Sequence, residues 1–412
     1  MLNRYLVRSA VLVALVGAVA ACTDKSADVL GPRPTQGDGL FQRYVSLGNS
    51  ITAGWQSDGI NDSTQVQSYA FLLAQQMGTR FAVPFFSKPG CTPPIANWVT
   101  QKRIDSVAPV PNGCAFRSAT RATDILNNVA VPGEFTADLT SKTTLVAPTG
   151  LFTLILGGMT QVEKALQADP TFATVWIGNN EILAPATTGL LVQTPGVPGS
   201  GLLPAAAWRP LFAAGINQLK TAPSLRGGVL IGVVDPVNAP RFFPADTLGV
   251  NTTYKGQWDQ LTTKTNTILG CGASGYLIST EIISRIRSGA LPAVVSCVKN
   301  QPQAPVGDIF MLDPTERQTL SATVTEYNAY IKAKADSIGF AYFDPNPVLA
   351  AARTARLVPV IPALLSTTNP FGEYFSLDGV HPRAKAHILV ANALIDVINT
   401  KYGTTLTKLP AP

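Results

Sequence analysis

Short apolar runs alternate with helical spacing along most of this chain, and that alternation restricts the folds open to it. Arg43–Leu47, Ala173–Ile177, Gly228–Val234 and Phe340–Phe343 are apolar, β-branched or aromatic stretches of strand length. Between and after them, Tyr69–Met77, Pro210–Leu219, Glu316–Ser337 and Arg383–Ile398 carry the spacing of amphipathic helices. Strands separated by helices predict a parallel sheet covered on both faces. Functional residues of such sheets gather at the carboxyl ends of the strands. Ser50, Asn180 and Asp235 each fall just past a predicted strand and would share one rim. Two connections are long: Leu183–Ala206, apolar and rich in Gly and Pro, and an insertion over about 238–314. Connections of that length usually have a function or a minor structure of their own.

The chain has 412 residues, 46% hydrophobic and 14% charged, which is the profile of a globular protein with one large domain or two ordinary ones. Its net charge of +6 falls to +4 without Arg4 and Arg8, which belong to a leader-like segment. No Lys/Arg cluster is interleaved with aromatics, so nucleic acid is not an expected partner.

That leader is residues 1–21. Arg4 and Arg8 form a positive start, and Ala10–Ala21 is an apolar stretch of small and aliphatic residues, too short to span a bilayer. It ends in Val19-Ala20-Ala21-Cys22, which resembles a bacterial lipobox, where the cysteine is lipidated and becomes the mature N-terminus. For a Gram-negative lipoprotein, that resemblance implies outer-membrane sorting from Thr23, rather than aspartate, at the next position. Residues 22–40 are polar, without periodicity, and read as a flexible tether. The expected location is therefore the bacterial cell envelope, on a periplasmic or surface face, with the membrane as a partner through an N-terminal lipid.

Four further cysteines remain: Cys91, Cys114, Cys271 and Cys297. An even number in an exported chain reads as two disulfides. Of three connectivities, Cys91–Cys114 with Cys271–Cys297 is favoured, because each closes a loop of about 25 residues and would stabilise by roughly 3 kcal/mol. No Cys-x2-Cys pair exists, and two histidines in the whole chain do not make a zinc site.

One of those histidines, His381, lies in Ser376-Leu377-Asp378-Gly379-Val380-His381-Pro382. A carboxylate three positions earlier can bind one ring nitrogen and fix the tautomer, leaving the other to accept a proton. Ser50, in Leu47-Gly48-Asn49-Ser50-Ile51-Thr52, offers a hydroxyl at a strand-to-helix turn, where amide N–H groups face developing negative charge. Taken singly, Ser50 reads as a helix cap, and Gly133 and Asn180 as turn residues. His387 would sit on another helix face, as a surface or packing histidine. Asp235 and Asp344 each precede a proline and read as turn caps.

Taken in order, four segments resemble the blocks of the SGNH (GDSL-type) hydrolase family. Gly48-Asn49-Ser50-Ile51 corresponds to the first block, where the family usually has aspartate after the glycine. Gly133, in Asn127-Asn128-Val129-Ala130-Val131-Pro132-Gly133, falls at the second block's glycine. Asn180, in Ile177-Gly178-Asn179-Asn180-Glu181, matches the asparagine of the third, with Glu181 in place of the usual aspartate. Asp378-Gly379-Val380-His381-Pro382 matches the Asp-x-x-His block. Asn49 and Glu181 are expected to change local hydrogen bonding more than the reaction.

The resemblance implies a three-layer α/β/α, flavodoxin-like sheet of about five parallel strands with long loop insertions, over residues 41–402. It also implies a serine ester hydrolase that needs no metal or organic cofactor, which with the lipobox-like leader would be lipid-anchored. Ser50 would be the nucleophile, His381 the base and Asp378 its orienting acid, with the Ser50 and Gly133 N–H groups and the Asn180 amide as oxyanion donors. Substrates would be small-molecule, glycan or lipid esters. The same apparatus removes acetyl groups from polysaccharides, so a carbohydrate O-deacetylase is the alternative. A catalytically silent envelope lipoprotein that binds glycans or proteins is a third reading. A large apolar pocket lined by Leu183–Ala206 would favour acyl chains, with Trp55, Phe242 and Phe243 as further candidates for its lining; an open polar groove would favour glycans. The oligomeric state is not legible in the sequence.

Overall fold

Four parallel strands form the central sheet of the computed structural model: β1 (Tyr44–Gly48), β2 (Phe172–Trp176), β3 (Gly227–Ile231) and β4 (Ala341–Phe343), side by side in that order. The structure describes residues 39–104, 125–142, 150–192, 201–272, 275–298 and 309–412. The leader, Cys22, tether residues 22–38 and Cys114 lie outside the described residues. A fifth extended segment lies along the free edge of β1. Ser46 N–H donates to the Asn127 carbonyl at 2.8 Å, Val129 N–H to the Ser46 carbonyl at 3.0 Å, and Val131 N–H to the Gly48 carbonyl at 3.2 Å. Asn128 makes a parallel bridge to Ser46. With that segment counted, the spatial order by chain position is 2-1-3-4-5, the flavodoxin-like arrangement.

Every residue of β1, β2 and β3 is buried, as expected of strands covered on both faces. Alternate side chains enter two separate cores. Tyr44, Phe172, Trp176, Val229 and Ile231 face α2 (Tyr69–Met77) and α7 (Ala384–Tyr402), whose Leu394, Ile395 and Ile398 complete that layer. Val45, Leu47, Ala173, Val175 and Leu230 enter the other core, with Trp208 and Phe212 of α4 (Ala205–Leu219) and Tyr327 of α5 (Pro314–Ile338). The stacked rings of Trp208 and Tyr327, with centroids 4.0 Å apart, join those two helices. The result is three layers.

The long α5 begins where its sequence says it should. Asp313 caps it by accepting from Glu316 N–H at 2.7 Å, while Glu316 accepts from Asp313 N–H at 2.8 Å, and Pro314 occupies the first position, where no amide hydrogen is needed.

The insertion is not one open loop. Phe242–Pro244, Leu277–Ser279 and Met311–Leu312 form a small antiparallel sheet, and Thr267–Leu269 pairs in parallel with Val294–Ser296. Cys271 and Cys297, just past that pair, form a disulfide with their Cα atoms 5.0 Å apart. Phe242 and Phe243 are buried here, and Phe243 meets Tyr254 and Trp258 edge-on or tilted. They do not line the cavity beside Ser50, and neither does Trp55, which packs against the core. The connection read from Leu183 onwards is also shorter than expected, because Leu183 lies inside α3 (Asn179–Thr188). No helix of the described residues is long and apolar enough to cross a membrane.

Candidate active site

The sheet order reverses between β1 and β2, and the residues just past the carboxyl ends of those two strands face each other across that point. After β1 the chain turns directly into α1 (Ser50–Ala53), with Ser50 as its first residue. Gly48 makes the turn possible: a Cβ there would collide with Thr52 Oγ1 and the Trp176 carbonyl. After β2, Gly178 adopts φ +108° and starts α3, which carries Asn179 and Asn180.

The third contribution comes from the far end of the chain, in the loop before α7. His381 Nε2 lies 2.8 Å from Ser50 Oγ, and His381 Nδ1 lies 2.9 Å from Asp378 Oδ2. Asp378 is fully enclosed and accepts three further hydrogen bonds, from the N–H groups of Val380 (2.9 Å), His381 (2.8 Å) and Asp58 (3.1 Å). Burial by itself would raise its pKa. The charge and hydrogen bonds of His381, helped by Arg241, outweigh burial and hold the carboxyl well below the usual range. An ionised acceptor at Nδ1 requires the proton on that nitrogen, so Nε2 is left to accept from the Ser50 hydroxyl. Arg241 braces the same loop, donating from Nε to the Asp378 carbonyl at 2.9 Å and from its backbone N–H to the Gly379 carbonyl at 2.9 Å.

Two of the candidate oxyanion residues, Gly133 and Asn180, are connected through Glu134. Gly133 lies two residues past the last backbone bond to β1, and its φ of +89° suits glycine. The next residue, Glu134, accepts from Asn180 Nδ2 through its carbonyl at 2.7 Å. Only one amide hydrogen of Asn180 is used there, which leaves the other for a bound oxygen. Ser50 N–H stands at a helix start, where no helical carbonyl is in reach.

Two expected departures take physical form. The Asn49 side chain is buried, and neither of its polar atoms has a hydrogen-bond partner among the described residues. Glu181 turns inward, accepts from Thr136 N–H at 2.6 Å, and has its pKa pushed up by burial to about 7. Glu134, also buried, is pushed up to about 9 by desolvation, with the nearby Asp138 adding to the rise against the Gln161 hydrogen bond.

Ser50, Asn180 and His381 open onto a cavity of about 920 Å³, counting the space at its mouth. Its walls are apolar: Ile51, Leu183 and Val234 on the sheet side, Leu349 and Ala352 of α6 (Asn346–Thr354), and Leu389 of α7. Gly133 is not part of that wall, and Asp378 lies behind His381. The other expectations fall away from the chemistry. His387 is fully buried and accepts from Tyr69 N–H through Nδ1 at 3.1 Å. Asp235 accepts from Val237 N–H, and Asp344 from Asn346 N–H, as turn caps. Sequence motifs do not point to Glu134, Gln161, Ser57 or Asp58, because their contributions are buried side-chain or backbone contacts. Among the described residues, no three His, Cys, Asp or Glu side chains group as metal ligands.

A hydroxyl hydrogen-bonded to an imidazole, backed by a carboxylate and with an amide donor on the same cavity, is equipped for nucleophilic attack on a carbonyl. No family model matches the chain, and no curated protein matches it. Among solved structures, it is similar to a variant of Axe2, an acetyl-xylooligosaccharide esterase from Geobacillus, at 12% identity over 91% of this chain and 99% of that one, with a TM-score of 0.39. Two catalytic mutants of Axe2, an acetylxylan esterase from Geobacillus stearothermophilus, match at 11% and 10% identity over 89% of this chain and 97% of theirs, with TM-scores of 0.38 and 0.37. At such scores the chemistry has to be read from this chain's own atoms.

Proposed function

We propose that this chain is a serine ester hydrolase of the SGNH type acting on esters with an apolar acyl group. The observation that carries this reading is the Ser50–His381–Asp378 relay, with contacts of 2.8 and 2.9 Å, opening onto an apolar cavity. Ser50 attacks the ester carbonyl as His381 takes its proton, and Asp378 stabilises the imidazolium. The Ser50 and Gly133 N–H groups and the free hydrogen of Asn180 receive the oxyanion. His381 returns the proton to the leaving alcohol, then activates water to release the acid. Each oxyanion donor would contribute roughly 10²–10³ in kcat.

The apolar walls favour an acyl chain over the polar face of an acetylated glycan. Steady-state hydrolysis of acetyl, butyryl and octanoyl p-nitrophenyl esters, beside acetylated xylan, tests this. Octanoyl or butyryl esters should be preferred and Ser50→Ala should be inactive. A protein that releases acetate from xylan and ignores the longer esters would be an O-deacetylase instead.

Lipidation of Cys22 and residence in the bacterial envelope belong to the same proposal. They rest on the leader and its small residues before the cysteine. Incorporation of a palmitate analogue by the wild type and not by Cys22→Ala is the expected result.

A further inference from the structure

We propose that Gln161 is a positioning residue, which holds the Ser50 turn in register with the two oxyanion groups that follow Val131 and β2. This rests on the hydrolase reading above and concerns a side chain outside its motifs.

Gln161 is completely buried at the start of the helix Gln161–Leu166, a place set by the Thr160 cap and its reciprocal bonds with Glu163. Its side-chain amide grips both polar groups of one residue. Oε1 accepts from Gly48 N–H at 2.9 Å, and Nε2 donates to the Gly48 carbonyl at 2.8 Å. Gly48 is two residues before the nucleophile and, lacking a side chain, has only its backbone to be held by. The same Nε2 donates to Glu134 Oε2. Glu134 follows Gly133, and its carbonyl holds Asn180 Nδ2 at 2.7 Å. One amide therefore connects the serine's turn, the glycine segment and the asparagine helix, which are otherwise on three different parts of the chain.

Two features separate this arrangement from ordinary core satisfaction. Gly48 C=O already has a sheet partner in Val131 N–H, so the second bond from Gln161 adds orientation to a group that is not orphaned. And Glu134 is a costly residue to bury as a carboxyl, yet its side chain meets Gln161 rather than solvent. A displacement of about 1 Å between a nucleophile and its oxyanion donors can cost on the order of 10²-fold in rate.

The test uses three full-length variants and two ligands. Gln161→Met removes every polar contact at similar volume, Glu134→Leu cuts the link while leaving the Gly48 grip, and Glu134→Gln keeps an acceptor for Gln161. Kinetics are measured with a p-nitrophenyl octanoate substrate, and affinities with octylboronic acid, which forms a tetrahedral adduct on serine, and with octanoate. Gln161→Met should lose about 30- to 100-fold in kcat with KM within about twofold, and boronate affinity should fall in step while octanoate affinity holds. Glu134→Leu should show the same split at about tenfold, and Glu134→Gln should stay within about threefold of wild type. If Gln161→Met fails to fold, the Glu134 pair decides alone. Wild-type kcat and boronate affinity in folded Gln161→Met or Glu134→Leu would overturn the proposal. So would equal losses in Glu134→Leu and Glu134→Gln, or parallel weakening of boronate and octanoate. Absence of Ser50-dependent turnover in the wild type would instead overturn the hydrolase reading, and this inference with it.

Discussion

The backbone N–H of Asp58 donates to Asp378 Oδ2 at 3.1 Å, although 320 positions separate the two residues. Asp58 belongs to a tight turn in which Gln56 and Gly59 exchange both backbone hydrogen bonds, and in which Ser57 and Asp58 adopt φ of 55° and 51°. Ser57 makes two more contacts to the same loop: its N–H donates to Ser376 Oγ at 2.9 Å and its Oγ accepts from Leu377 N–H at 3.1 Å. The loop that carries His381 is thus latched onto the segment that follows Ser50. Ser57→Ala removes one side of the latch and leaves a buried N–H without its acceptor. It should lower kcat by roughly three- to tenfold with little change in KM. Unchanged kcat would mean the latch does not set the histidine's position.

The two histidines should separate cleanly. His381→Ala should reduce kcat by at least about 10³-fold, as expected when a base of a serine relay is lost. His387→Asn keeps an acceptor where Nδ1 receives Tyr69 N–H, and its turnover should stay within about threefold of wild type. Comparable losses in the two variants would refute the assignment of His381 as base. Burial pushes the His387 pKa down to about 3, with the neighbouring His381 adding to the fall. Below pH 6.5 the unfolded chain therefore binds a proton that the folded chain refuses, and stability is lost as pH falls. Thermal melts should show His387→Asn losing less stability than wild type between pH 7 and pH 4.

Glu134 acts in the opposite direction. Its pKa is raised from an ordinary 4.5 to about 9, chiefly by burial. Between those values the folded chain keeps a proton that the unfolded chain has released, so the contribution to stability is intact below 4.5 and declines as pH rises towards 9. Glu181, raised to about 7, adds to the same decline over a narrower range. Melting temperature should fall from pH 5 to pH 9, and Glu134→Gln should fall less, ending about 2–4 °C above wild type at pH 8. An unchanged slope in Glu134→Gln would show that this carboxyl is ionised in the folded protein at neutral pH.

Chain-length preference should be adjustable from α6. Ala352 is buried on that helix and lines the cavity. Ala352→Trp places a large ring where the acyl chain is proposed to lie. It should lower kcat/KM for octanoyl esters by about 100-fold and leave acetyl esters within about threefold. Equal losses for both substrates would remove the cavity from the account of specificity.

Much of the sheet was legible because its strands are buried on both sides and read as continuous apolar runs. Arg43–Leu47 is observed as Tyr44–Gly48, Ala173–Ile177 as Phe172–Trp176, and the helix at Tyr69–Met77 has the same bounds. The edge segment at Asn127–Val131 was recognised only as a motif, since one bridge and three hydrogen bonds leave little periodicity. The same reason hid the small sheet of the insertion, whose strands are two or three residues long. At the site, residues that present a reactive atom carry a short-range pattern, as Asp378 and His381 do. Residues that hold those groups in place, such as Gln161 and Ser57, act across more than 100 positions and leave no local signature. The cavity walls were legible only in part: Leu183 lines the cavity as expected, whereas Trp55, Phe242 and Phe243 do not, and α6 adds Leu349 and Ala352, which no motif marks.

The most direct measurement is peptide mapping by mass spectrometry after exposure to a fluorophosphonate. One phosphonyl adduct is expected on the peptide bearing Ser50, none in Ser50→Ala, and much slower formation in His381→Ala. No adduct on wild-type protein, or equal labelling of Ser50→Ala, would contradict it.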